Sequence, residues 1–224
     1  MLIVGFLAKN GLPHLTKWQK RGYKTALVHQ YIHHAPAIDG LINVHRVRTS
    51  WLNTMLAHFE LYRRFLSDTN GTHLLIASET CIPLHTRAKV EKQLMRGMSY
   101  AYNPWARDFV ARHPHDRRQR GVSNKHYKAY FRYHEQWYII SREHVQLMMA
   151  NDTEIKYAFL NCPADNEHFM ATALTKLGRG HELQWAKVTF ANWERDKSHP
   201  KSYHSEKHLP DEAKAFWFAR KVLG

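Results

Sequence analysis

Residues 1–8 (MLIVGFLA) form an unbroken apolar run that stops at Lys9-Asn10-Gly11. A run without alternation leaves no wet face, so it predicts a strand covered on both sides, as in a parallel sheet. Leu15 and Trp18, at helical spacing after Pro13, predict a helix over residues 12–21 that Gly22 closes, and KTALVH at 24–29 predicts a second strand. After a polar turn at 33–40, a third short strand is expected at 41–45. Trp51, Met55, Phe59, Tyr62 and Leu66 then recur at three- and four-residue intervals, the mark of a long amphipathic helix, and Asn70-Gly71 ends it. HLLIA at 73–77 predicts another buried strand. Strand and helix thus alternate over the first 85 residues, as in an open, mainly parallel α/β sheet.

The second half is less regular. QWYII at 136–140 predicts a strand, and residues 141–149 a helix with Ser141 as cap and Glu143 in its first turn. A helix is expected over 166–177, where Ala164-Asp165-Asn166-Glu167 places a carboxylate near its positive end and Leu177-Gly178 closes it. Residues 187–190 predict a short strand, Ser198-His199-Pro200 a turn, and 216–222 a final apolar and basic segment. No repeat and no Gly-, Ser- or Pro-rich linker divides the chain, so one domain over 1–224 is expected.

Composition narrows the class. With 44% hydrophobic and 23% charged residues among 224, the chain can bury a core and is neither disordered nor fibrous. No stretch approaches the roughly 20 apolar residues of a membrane span. Two distant cysteines, Cys81 and Cys162, match no zinc spacing and no disulfide framework, which suits a reducing compartment.

A formal charge of +14 favours phosphate-bearing ligands, nucleic acid first and a nucleotide or nucleotide-sugar second. Between residues 103 and 134 there are eight Lys or Arg against two acids, interleaved with Trp105, Phe109, Tyr127, Tyr130, Phe131 and Tyr133. Such a segment is either a stacking platform for bases or a set of half-buried anchors under a solvated basic face.

Ligands of parallel sheets bind beyond the carboxyl ends of the strands. Four places qualify: Lys9-Asn10-Gly11, His29-Gln30, Ser78-Glu79-Thr80-Cys81-Ile82-Pro83-Leu84 and, in the second half, Asp165-Asn166-Glu167-His168. The sequence contains no GxGxxG, GxxxxGK[ST], HExxH, GxSxG or DxD, which removes the usual dinucleotide, P-loop, zinc-protease and hydrolase readings. Adjacent His33-His34 point different ways and are expected at the surface.

Several ordered pieces together resemble a known family. They are the Ser78–Leu84 motif after HLLIA, Trp51 with Glu60 nine residues on, Gln136-Trp137 before Ser141-Arg142-Glu143-His144, and Asn166-Glu167-His168-Phe169 with Thr172. Trp193 followed by His199-Pro200, and the terminal Phe218-Ala219-Arg220-Lys221, complete the series. In this order they resemble the Core-2/I-branching glycosyltransferase family, its plant branch included. The resemblance implies a GT-A-like three-layer α/β/α sandwich with a mainly parallel central sheet, residues 1–85 binding the nucleotide and 86–224 the acceptor. It implies inverting transfer of a sugar, GlcNAc or xylose favoured, from a UDP-sugar to a hydroxyl of a glycan or glycoprotein, with no metal and no other cofactor.

By the same resemblance Glu167 is the base. His29, Ser78, Glu79, Lys207, Arg220 and Lys221 bind the donor, Lys221 ahead of Arg220 for the diphosphate, and Asp165 and Trp193 lie on the acceptor side. Where the family carries an acid before the catalytic glutamate, this chain has Asn166, with Asp165 one step earlier. Two alternatives stand beside this one: a basic nucleic-acid-binding module, and a family member that binds glycans without catalysis. Family members are mostly membrane-anchored, so the chain is expected to be cytoplasmic as written, or in a Golgi-type lumen if trimmed from a longer one.

Overall fold

The computed structural model describes residues 1–9, 11–31, 35–50, 52–103, 117–193 and 200–223. Strand β1 (Leu2–Ala8) is buried along its whole length. Its alternation divides the core in two: Ile3 and Leu7 join one cluster, Leu2, Val4, Phe6 and Ala8 the other. Both faces being covered is why the run carries no polar residue. Parallel to β1 lie β2 (Ala26–Gln30) and β4 (His73–Ser78), one on each side, and β3 (Ile42–Asn43) extends the sheet beyond β2. β6 (Ser99–Ala101), β7 (Ile139–Ser141) and β8 (Leu183–Trp185) complete the order β3-β2-β1-β4-β7-β6-β8, with β7 antiparallel to both its neighbours.

The longest described helix, α2 (Met55–Asp68), packs Phe59, Leu61, Tyr62 and Phe65 on the first face. α6 (Arg142–Ala150), α7 (Asp152–Phe159) and α8 (Phe169–Lys176) share that layer. On the second face lie α1 (Leu15–Lys20), α3 (Arg87–Glu91) and a small sheet of β5 (Ile82–Pro83), β9 (Thr189–Ala191) and β10 (Phe218–Arg220), ordered β5-β10-β9. Trp18 of α1 is sandwiched there, edge-on to Phe6 and Tyr23 and stacked on Phe218. This is the three-layer, mainly parallel α/β/α arrangement expected from the sequence.

Three local expectations change. The strand expected at 136–140 forms over Ile139–Ser141; Tyr138 still accepts the Ile76 amide, but Gln136 and Trp137 make no ladder pair with β4. The helix expected from 166 begins at Phe169, since Ala164 takes a left-handed turn (φ 58°) and Asp165–Glu167 make a separate 3₁₀ turn. The strand expected at 187–190 forms over Thr189–Ala191. Asn10, His33, His34, Trp51, Trp105, Phe109, Ser198 and His199 lie outside the described residues.

Capping follows the sequence closely at Ser141, whose hydroxyl accepts the amide of His144. Next to it, Arg142 closes the far end of α2. Its guanidinium donates to the carbonyls of Leu66, Thr69 and Gly71 at 2.9–3.1 Å and lies 5.2 Å from the Phe65 ring centroid. Gly71 makes this join possible, because a Cβ there would sit 2.5 Å from Ile3 and 2.7 Å from Phe65. Arg142→Met keeps the apolar stem but orphans three carbonyls, so it should lower unfolding stability by roughly 2–3 kcal/mol in urea titration.

Candidate functional site

The strand order turns between β1 and β4, so the crevice for a ligand opens beyond their carboxyl ends. Around this edge the chain supplies its polar groups. His29 and Gln30 end β2; the Val47 amide donates to His29 Nε2 at 3.0 Å, which fixes the ring as neutral with its proton on Nδ1. Arg46 reaches the Gln30 side chain at 2.7 Å and holds the following loop over the strand.

The Ser78–Leu84 motif has a specific construction. Ser78 and Cys81 close a tight turn, the Ser78 hydroxyl bonding Thr80 at 3.1 Å, and Glu79 stands at its tip. The chain then returns as β5, against which β10 runs antiparallel with Ala219 opposite Ile82, while the Val222 amide donates to Thr80. That register delivers Arg220 to the same edge, beside Cys81, Glu79 and Tyr31.

Arg220 is half-buried, with its guanidinium 4.1 Å from the Trp137 ring centroid. Its Nε is sealed from solvent without a hydrogen-bond partner, and among the described residues Arg220 enters no ion pair. Burial draws its pKa down, against the charges of Glu135 and Glu79. A cation kept out of water and left unpaired is suited to an incoming anion.

Facing it are two carboxylates from the second half. Glu167 sits on the 3₁₀ turn with Arg118 at 3.9 Å; burial raises its pKa, and Arg118 and Arg220 oppose the rise. Glu135 is 6% exposed, and burial pushes it up to about 7 against Lys187, Arg220 and the indole N–H of Trp193, which donates to it. The two acids are joined through the backbone, His134 N–H donating to the Glu167 carbonyl at 2.8 Å. Tyr133 lies against both, and Lys187 stands over the Tyr102 ring.

Of the residues expected from the sequence, Glu79, Arg220, Glu167 and Trp193 therefore converge, with Ser78 at the base of the Glu79 turn and His29 on the neighbouring strand. Asp165 is turned away: its Oδ1 accepts the amides of Thr54 and Met55 at 3.0 and 3.1 Å, pinning the Glu167 turn to the start of α2. Burial pushes Asp165 up to about 7, against those amide donors. Lys207 is exposed on a 3₁₀ turn whose Glu206 pairs with Lys17 and Arg21 of α1. Lys221 follows Arg220, and its carbonyl accepts the Tyr203 amide.

Glu135, Tyr31, Arg118 and Lys187 were not singled out in the sequence. A signal for Glu135 existed: it precedes a strand antiparallel to β4, and residues before such a strand must run past the carboxyl end of β4. Among the described residues no group of three or more His, Cys, Asp or Glu is placed to hold a metal ion, and no helix is long and apolar enough to cross a membrane. A cleft of ≈ 200 Å³ lined by Met1, Thr72, His73, Glu91 and Glu143 lies at the opposite, amino end of β1 and β4, away from these groups.

The elevated Glu135 carboxyl has a stability consequence. Its folded pKa lies above the unfolded value, so the native state holds the extra proton and stability falls as pH rises between about 4.5 and about 7. Glu135→Gln should leave the melting temperature nearly unchanged at pH 4.5 and raise it at pH 8, by on the order of 2–3 kcal/mol of unfolding free energy.

Two crystal structures of LgtC cover the whole chain: one, the galactosyltransferase with donor and acceptor sugar analogues, at 9% identity, TM-score 0.46 and 87% of that chain; the other, an active-site mutant, at 12%, 0.44 and 88%. Those scores carry no fold assignment, which rests on the sheet topology above. No curated protein sequence matches significantly. The profile described as Core-2/I-Branching enzyme matches residues 19–215, taking in Glu79, Glu135 and Glu167 and stopping just short of Arg220, and the chain therefore belongs to the Core-2/I-branching family of glycosyltransferases.

Proposed function

We propose that the protein transfers a sugar from a UDP-sugar to a glycan or glycoprotein hydroxyl with inversion, using its own cations rather than a metal for the leaving diphosphate. The observation that carries the reading is Arg220: an unpaired, half-buried guanidinium at the carboxyl edge of the sheet, with Glu79 on the donor side and Glu135 and Glu167 on the other. GlcNAc and xylose are the favoured donor sugars, a choice that comes from the family resemblance alone, as does the GT-A name for the fold.

Inverting transfer is one displacement. The acceptor oxygen attacks the anomeric carbon as its proton passes to a carboxylate, and the bond to UDP breaks with negative charge gathering on the diphosphate. Glu167 suits the base. Its two arginine neighbours oppose the rise that burial causes, and so favour the ionised form a base needs. Glu135, pushed to about 7, has half of its population protonated near neutrality and is the weaker candidate. Arg220 takes the diphosphate, its planar fork matching two oxygens at once. The resemblance ranks Lys221 first for this role, but the half-buried, unpaired Arg220 guanidinium supports giving it to Arg220, with Lys221 beside it; Trp193 offers an exposed ring face to the acceptor sugar.

Glu167→Gln should reduce transfer by about a hundredfold or more while UDP binding, read by calorimetry, persists; full activity in that variant would remove Glu167 from the base role. Arg220→Lys, which retains charge but loses the fork, should weaken UDP by about tenfold, and an unchanged affinity would place the diphosphate elsewhere. Proton NMR of the product should show the anomer opposite to the donor's, and transfer should continue in EDTA.

A further inference from the structure

From Arg117 to Arg132 the chain carries six Lys or Arg and no acid. Helices α4 (Arg117–Gly121) and α5 (Lys125–Lys128) form most of this stretch. Its apolar residues point inward: Val122, Tyr127 and Phe131 are buried, Tyr127 edge-on to Phe159 of α7 and beneath the Lys176 ammonium of α8. Ser123 bonds the backbone of Tyr157 and Ala158, so the arc is fixed to α7 and α8. Arg120, Lys125 and His126 are left exposed, with Lys128 and Arg132 half-exposed and the Tyr130 ring 42% exposed among them.

Among the described residues, the acids that border the arc are already engaged. Glu154 pairs with Lys176, Asp152 with Lys156, and Glu167 with Arg118. Arg120, Lys125, Lys128 and Arg132 enter no ion pair among the described residues. Like charges concentrated this way repel one another and cost stability, which an ordinary solvated face avoids by mixing signs. Both ends of the arc also meet the site: Arg118 lies against Glu167 at one end, and Tyr133, just past Arg132, lies against Glu167 and Glu135 at the other.

We infer that this arc is the acceptor platform and that the acceptor is an anionic glycan, one bearing sulfate, carboxylate or phosphate groups. Its negative groups pair with Arg120, Lys125 and Lys128, the Tyr130 ring packs on a sugar face, and the hydroxyl to be glycosylated is thereby brought to Glu167. The inference rests on Glu167 as the acceptor-side base.

The experiment measures fluorescence anisotropy of labelled dextran sulfate and of neutral dextran against the full chain, at low and at physiological salt. The arc variant Arg120→Ala/Lys125→Ala/Lys128→Ala is compared with a control of equal charge, Lys24→Ala/Lys89→Ala/Lys92→Ala, whose lysines are also exposed. The arc variant should bind dextran sulfate about tenfold more weakly and the control less than about twofold, with UDP affinity the same in all three proteins. Equal losses in both variants, no loss in either, or neutral dextran binding as tightly as the sulfated polymer would each overturn the inference. So would a single-stranded oligonucleotide that outcompetes dextran sulfate at matched charge and depends on the arc, which would make the surface one for nucleic acid. Absence of UDP binding in every form would sink the donor reading separately, leaving the polyanion result to stand or fall alone.

Discussion

The stacking of Arg220 on Trp137 is the constraint on which the site depends. Taking a guanidinium partly out of water costs several kcal/mol, of which a cation–π contact returns about 2 kcal/mol. The surrounding acids contribute at a distance but do not close on it. The remaining deficit is the physical ground for proposing an anion at this position. It holds only while β10 stays in register against β5, and that register is set by the Ser78–Cys81 turn, which reverses the chain immediately after β4.

Two different economies of sequence meet at this edge. The first half is a parallel sheet whose strands are mostly apolar, and what it brings to this edge lies in the last residues of β2 and β4 and the one that follows: His29, Gln30, Ser78, Glu79. The second half has short strands and supplies the charged groups: Glu135 from before β7, Glu167 from a 3₁₀ turn, Arg220 from the end of β10. In the proposed reading the second half therefore carries both the acid for the acceptor and the cation for the donor.

Legibility followed the length of the signal. β1, β2, β4 and α2 were plain in the sequence because each repeats its pattern over enough residues to separate a period of two, a continuous run and a period of 3.6. β5, β6, β8 and β10 have two or three residues each, too few for any periodicity, and they pair with neighbours equally short. Glu167 is legible through the family motif, although it lies on a separate 3₁₀ turn rather than in the first turn of the helix that follows. Between Arg220 and Lys221 the chain composition offers no choice; strand register decided which of the two meets Trp137 and Glu79. Glu135, with no periodic context, became visible only when β7 proved antiparallel.

Asp165 lies two residues before Glu167, and its carboxylate holds the opening amides of α2. The longest described helix and the Glu167 turn are thus geared together, and the gear is a single buried side chain. Any agent that frays the first turn of α2 slackens Glu167 while the parallel sheet behind it is still intact. In such a molecule heat would silence turnover before it erased the far-ultraviolet signature of the fold.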